Sequence, residues 1–265
     1  MQYQTVLKKM KTELNNQVQY YLDVENDFLV LNQLLDKEIE LSFEGYQCLC
    51  CGKEKKIFRQ GFCYECFYKS AAVGDWIMKP ELSTAHKNIE DRDLDYEKSV
   101  QLQPHIVYLA LSSNVKVGVT RKTQVPTRWI DQGASKAIEI VEVPNRYLAG
   151  ITEVALKEYV ADKTSWQKML KNEESTADLI EEREKLKQYI PEEAQPYFLA
   201  NNGKITEINY PVLQYPKKIK SLNLEKSHIY SGKLKGIKGQ YLIFEDTTVF
   251  NIRNNEGFRV LITIK

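Results

Sequence analysis

Long apolar runs are missing from this sequence. No stretch approaches the roughly 20 apolar residues of a membrane-spanning helix. Met1 to Leu14 alternates polar and apolar side chains, without the continuous apolar stretch of a signal peptide. The expectation is a cytoplasmic protein with no membrane partner. Histidine is scarce: His86, His105 and His228 stand far apart and form no ligand cluster, although His105 adjoins a segment of interest below. Net charge is nearly absent as well. The 37 Lys and Arg against 36 Asp and Glu leave +1, so charge over the whole molecule advertises no polyanionic partner.

What is present is a core-forming composition, 43% hydrophobic in 265 residues, enough for one large domain or several small ones. The charge is unevenly spread. Lys204 to Lys265 carries eleven basic residues against five acidic ones, and Lys116 to Arg128 carries four basic residues and no acid. Residues 1–45 read as strands over Tyr3–Leu7, Gln17–Val24 and Glu38–Phe43. Residues 46–103 hold a four-cysteine module and a polar, irregular linker. Residues 104–200 change rhythm. His105–Leu111 and Val115–Val119 flank Ser112-Ser113-Asn114 and predict a hairpin. Helices are expected at Thr127–Asp131, Arg146–Val160, Trp166–Leu170 and Leu179–Tyr189, and a third strand at Ala137–Val143. Residues 201–265 return to strands, with a faint echo between Leu234–Lys238 and Leu7–Lys11. Two short β-rich ends bury little alone, so 1–45 and 201–265 are expected to pack together. The fold class is α+β: a mixed β-rich terminal module, a zinc knuckle of treble-clef or ribbon-like kind, and a small three-stranded sheet with helices.

The cysteines carry the sharpest signal. Cys48-x2-Cys51 and Cys63-x2-Cys66 are separated by eleven residues. Two such pairs present four thiolates tetrahedrally, which is how structural zinc is held. Gly52 and Gly61 supply the tight turns, and Lys53, Lys55 and Lys56 offset thiolate charge. Disulfides are disfavoured in a reducing compartment. An iron–sulfur cluster remains an alternative, but the spacing favours zinc. Cys50 is left over and is expected to point away from the metal.

The central segment carries a second pattern. Ile106-Val107-Tyr108 is followed by Lys116-Val117-Gly118-Val119-Thr120, then by Arg128 and Glu153. This order, over about residues 104–170, resembles the GIY-YIG nuclease superfamily, and the second motif is similar to its KIGVT form. Trp166, after Asp162-Lys163-Thr164-Ser165, falls where that branch often has an aromatic residue. The whole chain also resembles a bacterial family of unassigned function that joins a cysteine cluster to this segment. The resemblance implies that Tyr108, aided by Lys116, activates a water, that Arg128 grips the scissile phosphate, and that Glu153 holds Mg²⁺ or Mn²⁺. Arg121, Lys122, Trp129 and Gln132 would contact nucleic acid. The sequence departs from the pattern in lacking a glycine ahead of Tyr108, in having Lys116 in place of the second tyrosine, and in having Gln132 where many members have histidine.

Plainer readings stand beside each residue. Tyr108 is one of 16 tyrosines and suits core packing, and Arg128 is within reach of Asp131. Glu153 shares a helix face with Ala149, Leu156 and Val160, and a carboxylate among apolar neighbours needs a partner, whether a metal, Arg128 or Arg146. Three functions follow: a metal-dependent endonuclease, a zinc-containing protein that binds nucleic acid or a ribonucleoprotein without cutting, and a protein-interaction scaffold built on the β-rich ends.

Overall fold

The computed structural model describes residues 1–25, 27–160, 165–200 and 204–265; Asp162, Lys163 and Thr164, singled out ahead of Trp166, lie outside the described residues. The chain divides into two compact units. One comprises Met1–Lys69, Ile130–Gly133 and Asn209–Lys265, and the other Ser70–Trp129 and Ala134–Ile208.

The first unit is built on a sheet of seven strands among the described residues. Their order is Gln2–Val6, Phe258–Ile264, Glu38–Tyr46, Ile229–Lys238, Tyr241–Phe244, Thr248–Asn251 and Lys220–Ser221. Neighbours are antiparallel except for the last pair. Alternation fixes which residues are inside. Ile39 and Leu41 on one strand and Val260 and Ile262 on the next are all buried, with Ile262 opposite Leu41. The first and last strands run side by side, with Thr5 opposite Val260, and the Met1 ammonium donates to the Ile264 carbonyl at 2.9 Å. A smaller sheet joins Lys11–Glu13, Gln19–Val24 and Asp27–Val30. The short piece Ile130–Gly133 brings in Asp131, whose side chain is 2% exposed. Its carboxylate meets Lys9 Nζ at 2.5 Å and Gln240 Nε2 at 2.9 Å, the partners that a buried charge requires.

The second unit centres on an antiparallel sheet ordered Thr206–Glu207, Lys136–Val143, His105–Leu111, Val115–Arg121. It thus has a fourth, two-residue strand beyond the three expected, because the chain returns to the free edge of Lys136–Val143. Every residue of His105–Leu111 is buried. Val107, Leu109 and Leu111 share one core with Val115, Val117, Ile138 and Val141, and with Ala149, Leu156, Leu179 and Leu186. Helices Arg146–Lys157 and Leu179–Leu186 therefore cover that face, and Ile106, Tyr108 and Ala110 point to the opposite one.

The Arg146 helix is capped by Asn145, which accepts from Leu148 N–H at 2.9 Å. Gly150 lets it lie against Pro80–Leu82: a Cβ there would sit 2.2 Å from Glu81 N. Residues 70–103 are more ordered than their polarity predicts. Helix Leu94–Gln101 is capped by Asp93, and the fully buried Glu97 accepts from the N–H groups of Asp91, Arg92 and Asp93 at 3.0, 2.7 and 3.1 Å. The acidic stretch folds by satisfying its own backbone donors.

Candidate functional site

The cysteine segment runs as a knuckle, a hairpin and a helix. Cys48 to Gly52 closes the knuckle, Gly52 N–H donating to Cys48 O at 2.9 Å. Strands Ile57–Arg59 and Phe62–Cys63 pair, and helix Tyr64–Lys69 carries Cys66. Gly61 turns the hairpin at φ 77°, a left-handed conformation that suits a residue without a Cβ. The Sγ atoms of Cys48, Cys51, Cys63 and Cys66 all lie within 4.8 Å of one another. A tetrahedral ion with Zn–S bonds of about 2.3 Å needs sulfurs about 3.8 Å apart, so modest closure completes the shell.

All five cysteines are free thiols, and Cys50 is exposed and outside the cluster. Burial raises the Cys48 pKa, but N–H groups of Cys63, Cys51 and Cys50 aimed at its sulfur outweigh that and bring the thiol down to about 6. Cys63 N–H reaches that sulfur at 3.2 Å. Such donors favour the thiolate that metal binding needs. Lys55 pairs with Glu65 at 2.9 Å and Lys56 with Glu225 at 3.4 Å, so part of the lysine charge expected to offset the thiolates is engaged by carboxylates.

The hairpin residues separate into two groups. Tyr108, Lys116 and Gly118 share one face, since Tyr108 pairs with Gly118 and Ala110 with Lys116. Tyr108 is fully buried, and its ring lies over Gly118, where a Cβ would meet Oη at 2.6 Å. Trp129 packs edge-on against it, centroids 5.8 Å apart. At 2% exposed, Trp129 offers solvent no stacking face.

Glu153 belongs to the other face. On the Arg146 helix it lies between Ala149 and Leu156, both part of the core built on Val107 and Leu109. The expected shared cleft of Tyr108 and Glu153 is thus divided by the sheet. Sequence order does not say which side a helix packs on. Glu153 is 8% exposed and pairs with Lys157 at 3.1 Å. Burial holds its carboxyl above the usual range, with Lys157 and Arg146 pulling it back. The opposite side of this helix faces solvent, with Val154 44% exposed.

The carboxylate across from Tyr108 is Glu139, beside a bulge in the third strand, half-buried and raised by burial and by Glu142. Strand alternation at Lys136–Val143 carried the signal for it. Arg146 was also understated by sequence. It donates to Trp76 O at 3.1 Å and Ile77 O at 2.8 Å, and its guanidinium stands 5.6 Å over the Trp76 ring. Burial, opposed by Glu153 and helped by the nearby Arg128 and Arg121, lowers its pKa to about 10. Arg121 pairs with His105 across the strands, and Lys122 binds Glu142 at 2.7 Å. Arg128 is half-buried, without an ion pair among the described residues, and Asp131 is held by Lys9 instead. Gln132 falls in the first unit.

These features define a mixed α+β protein with several sheets and a four-cysteine cluster consistent with zinc. Residues 36–260 match the family described as "Protein of unknown function (DUF2797)", and the chain belongs to that family. No curated protein and no solved structure matches it. No helix among the described residues is long and apolar enough to cross a membrane.

Proposed function

We propose that this chain is a zinc-stabilised nucleic-acid-binding protein, and that its GIY-YIG-like segment binds rather than cuts. The observation that carries this reading is the division of Tyr108 from Glu153 by the sheet. Hydrolysis needs the activating group, the metal ligand and the phosphate clamp at one water. Glu153, the expected Mg²⁺ or Mn²⁺ ligand, is instead neutralised by Lys157. Four thiolates fill a zinc coordination shell and leave no open position, which suits a structural ion. What the segment retains is cations at one end of its sheet: Arg121, Arg128 and Arg146, with Lys122 held by Glu142 beside them. Guanidinium forks suit phosphate.

The test is anisotropy and cleavage on labelled DNA and RNA with Mg²⁺ or Mn²⁺. Salt-sensitive binding without cleavage is expected, and Arg121→Ala and Arg128→Ala should each make the salt slope shallower by about one. Cleavage that disappears in Glu153→Ala would restore the nuclease reading.

A further inference from the structure

The zinc segment presents a surface that metal binding alone does not explain. Residues 57–69 include Phe58, Phe62, Tyr64, Phe67 and Tyr68. Tyr64, Phe67 and Tyr68 fall at i, i+3 and i+4, so the short helix lines them up on one side. Phe58 joins them from the hairpin, with ring centroids 5.2 Å from Tyr64, 5.3 Å from Phe67 and 6.0 Å from Tyr68. Tyr64 and Tyr68 are 4.8 Å apart. A miniature core would hide these rings, yet Phe58, Tyr64 and Tyr68 remain 40%, 63% and 55% exposed.

The charges around the rings are of one available sign. From Lys53 to Lys69 there are five basic residues and two acidic ones. Both acids are engaged, Glu65 by Lys55 and Glu54 by Arg259. Lys53, Arg59 and Lys69 form no ion pair among the described residues, and the Arg59 guanidinium stands 5.3 Å over Phe58. Beside Phe58 and Arg59 opens a cleft of about 360 Å³ whose walls include the amides of Gln60 and Asn254 and the Glu225 carboxylate, which Lys56 holds at 3.4 Å. Amides offer donors and acceptors together, as the edges of bases do.

We propose that this face is a platform for single-stranded nucleic acid. Bases stack on Phe58, Tyr64 and Tyr68, phosphates lie along Lys53, Arg59 and Lys69, and the amide-lined cleft takes a base edge. Exposed rings reach only unstacked bases, so duplex is the poorer ligand. A neutral protein partner would have no use for the unpaired cations. The platform rests on the reading that the chain binds nucleic acid, but uses residues distinct from Arg121 and Arg128.

The experiment uses full-length, zinc-loaded protein and fluorescein-labelled oligo-uridine, oligo-thymidine and a duplex of equal length. Tyr64→Ala with Tyr68→Ala should weaken single-strand binding about ten-fold or more, with zinc content and circular dichroism unchanged. Tyr64→Phe with Tyr68→Phe should keep it, since the rings remain. Arg59→Ala with Lys69→Ala should flatten its salt dependence. Unchanged single-strand affinity in the alanine pair, with loss in the Arg121 and Arg128 variants, overturns the platform and leaves the earlier reading standing. No binding by the unaltered protein overturns both. Concentration-dependent self-association abolished by the alanine pair, without nucleic-acid binding, assigns the rings to a protein contact and also overturns the platform.

Discussion

Two residues respond to their surroundings in ways a test tube can read. Cys63 is buried, contributes one of the four thiols, and donates its N–H to Cys48 sulfur at 3.2 Å. Local folding and metal binding are one process in so small a segment. Cys63→Ser should therefore bring the metal content of purified protein well below one zinc per chain and lower the thermal midpoint, and a chelator should do the same to the unaltered protein.

His105 responds to protons. It is fully buried, and because a carbonyl only accepts, Nδ1–H must be the donor to Gln103 O at 2.7 Å. Burial pushes the imidazole from 6.5 down to about 4, so between those values the unfolded chain takes up a proton that the fold refuses. The contribution of neutral His105 is complete above pH about 6.5 and is lost as pH falls toward about 4, an effect on the order of 3 kcal/mol. Urea midpoints measured across that window should decline, and His105→Phe should flatten the decline.

At the scale of elements, the Arg146–Lys157 helix is the part on which the second unit depends. It packs one side into the Val107 and Leu109 core, and at Gly150 it lies against backbone. A methyl there would meet Glu81 N at 2.2 Å and Pro80 C at 2.3 Å, and neither is the end of a flexible side chain. Gly150→Ala should cost about 3 kcal/mol in chemical denaturation. Zinc content should stay unchanged, because the cysteines belong to the other unit. Loss of zinc together with loss of stability would show that the two units do not unfold independently.

At the scale of the molecule, the two chain ends share one sheet. Gln2 lies opposite Thr263, and Phe258–Ile264 sits between the first strand and Glu38–Tyr46. Joining Lys265 to Met1 by a short linker and opening the chain at the exposed Lys217–Lys218 turn should preserve circular dichroism and zinc content. Deleting 258–265 should unfold the first unit and release zinc. The deletion strands the edges of two neighbours, and Gly257 O, which accepts from Gln47 N–H at 2.8 Å, loses its anchor beside Cys48.

The amino-acid sequence by itself determined the features that depend on short-range spacing. Two Cys-x2-Cys pairs bring thiols together because coordination geometry and tight turns act over a few residues. Strand alternation likewise marks Val107, Leu109 and Leu111 as one face. Only the tertiary structure decided which side of the sheet receives the Arg146 helix. That choice depends on apolar surface gathered from Val107, Val141 and Leu186. It parts Glu153 from Tyr108, while strand register sets Glu139 across from the tyrosine. Trp129 and Arg128 show the same limit. They are neighbours in sequence, but packing against Tyr108 hides the first, while the second stays half-buried without an ion pair among the described residues. Burial is a sum over distant neighbours, and no local spacing encodes it.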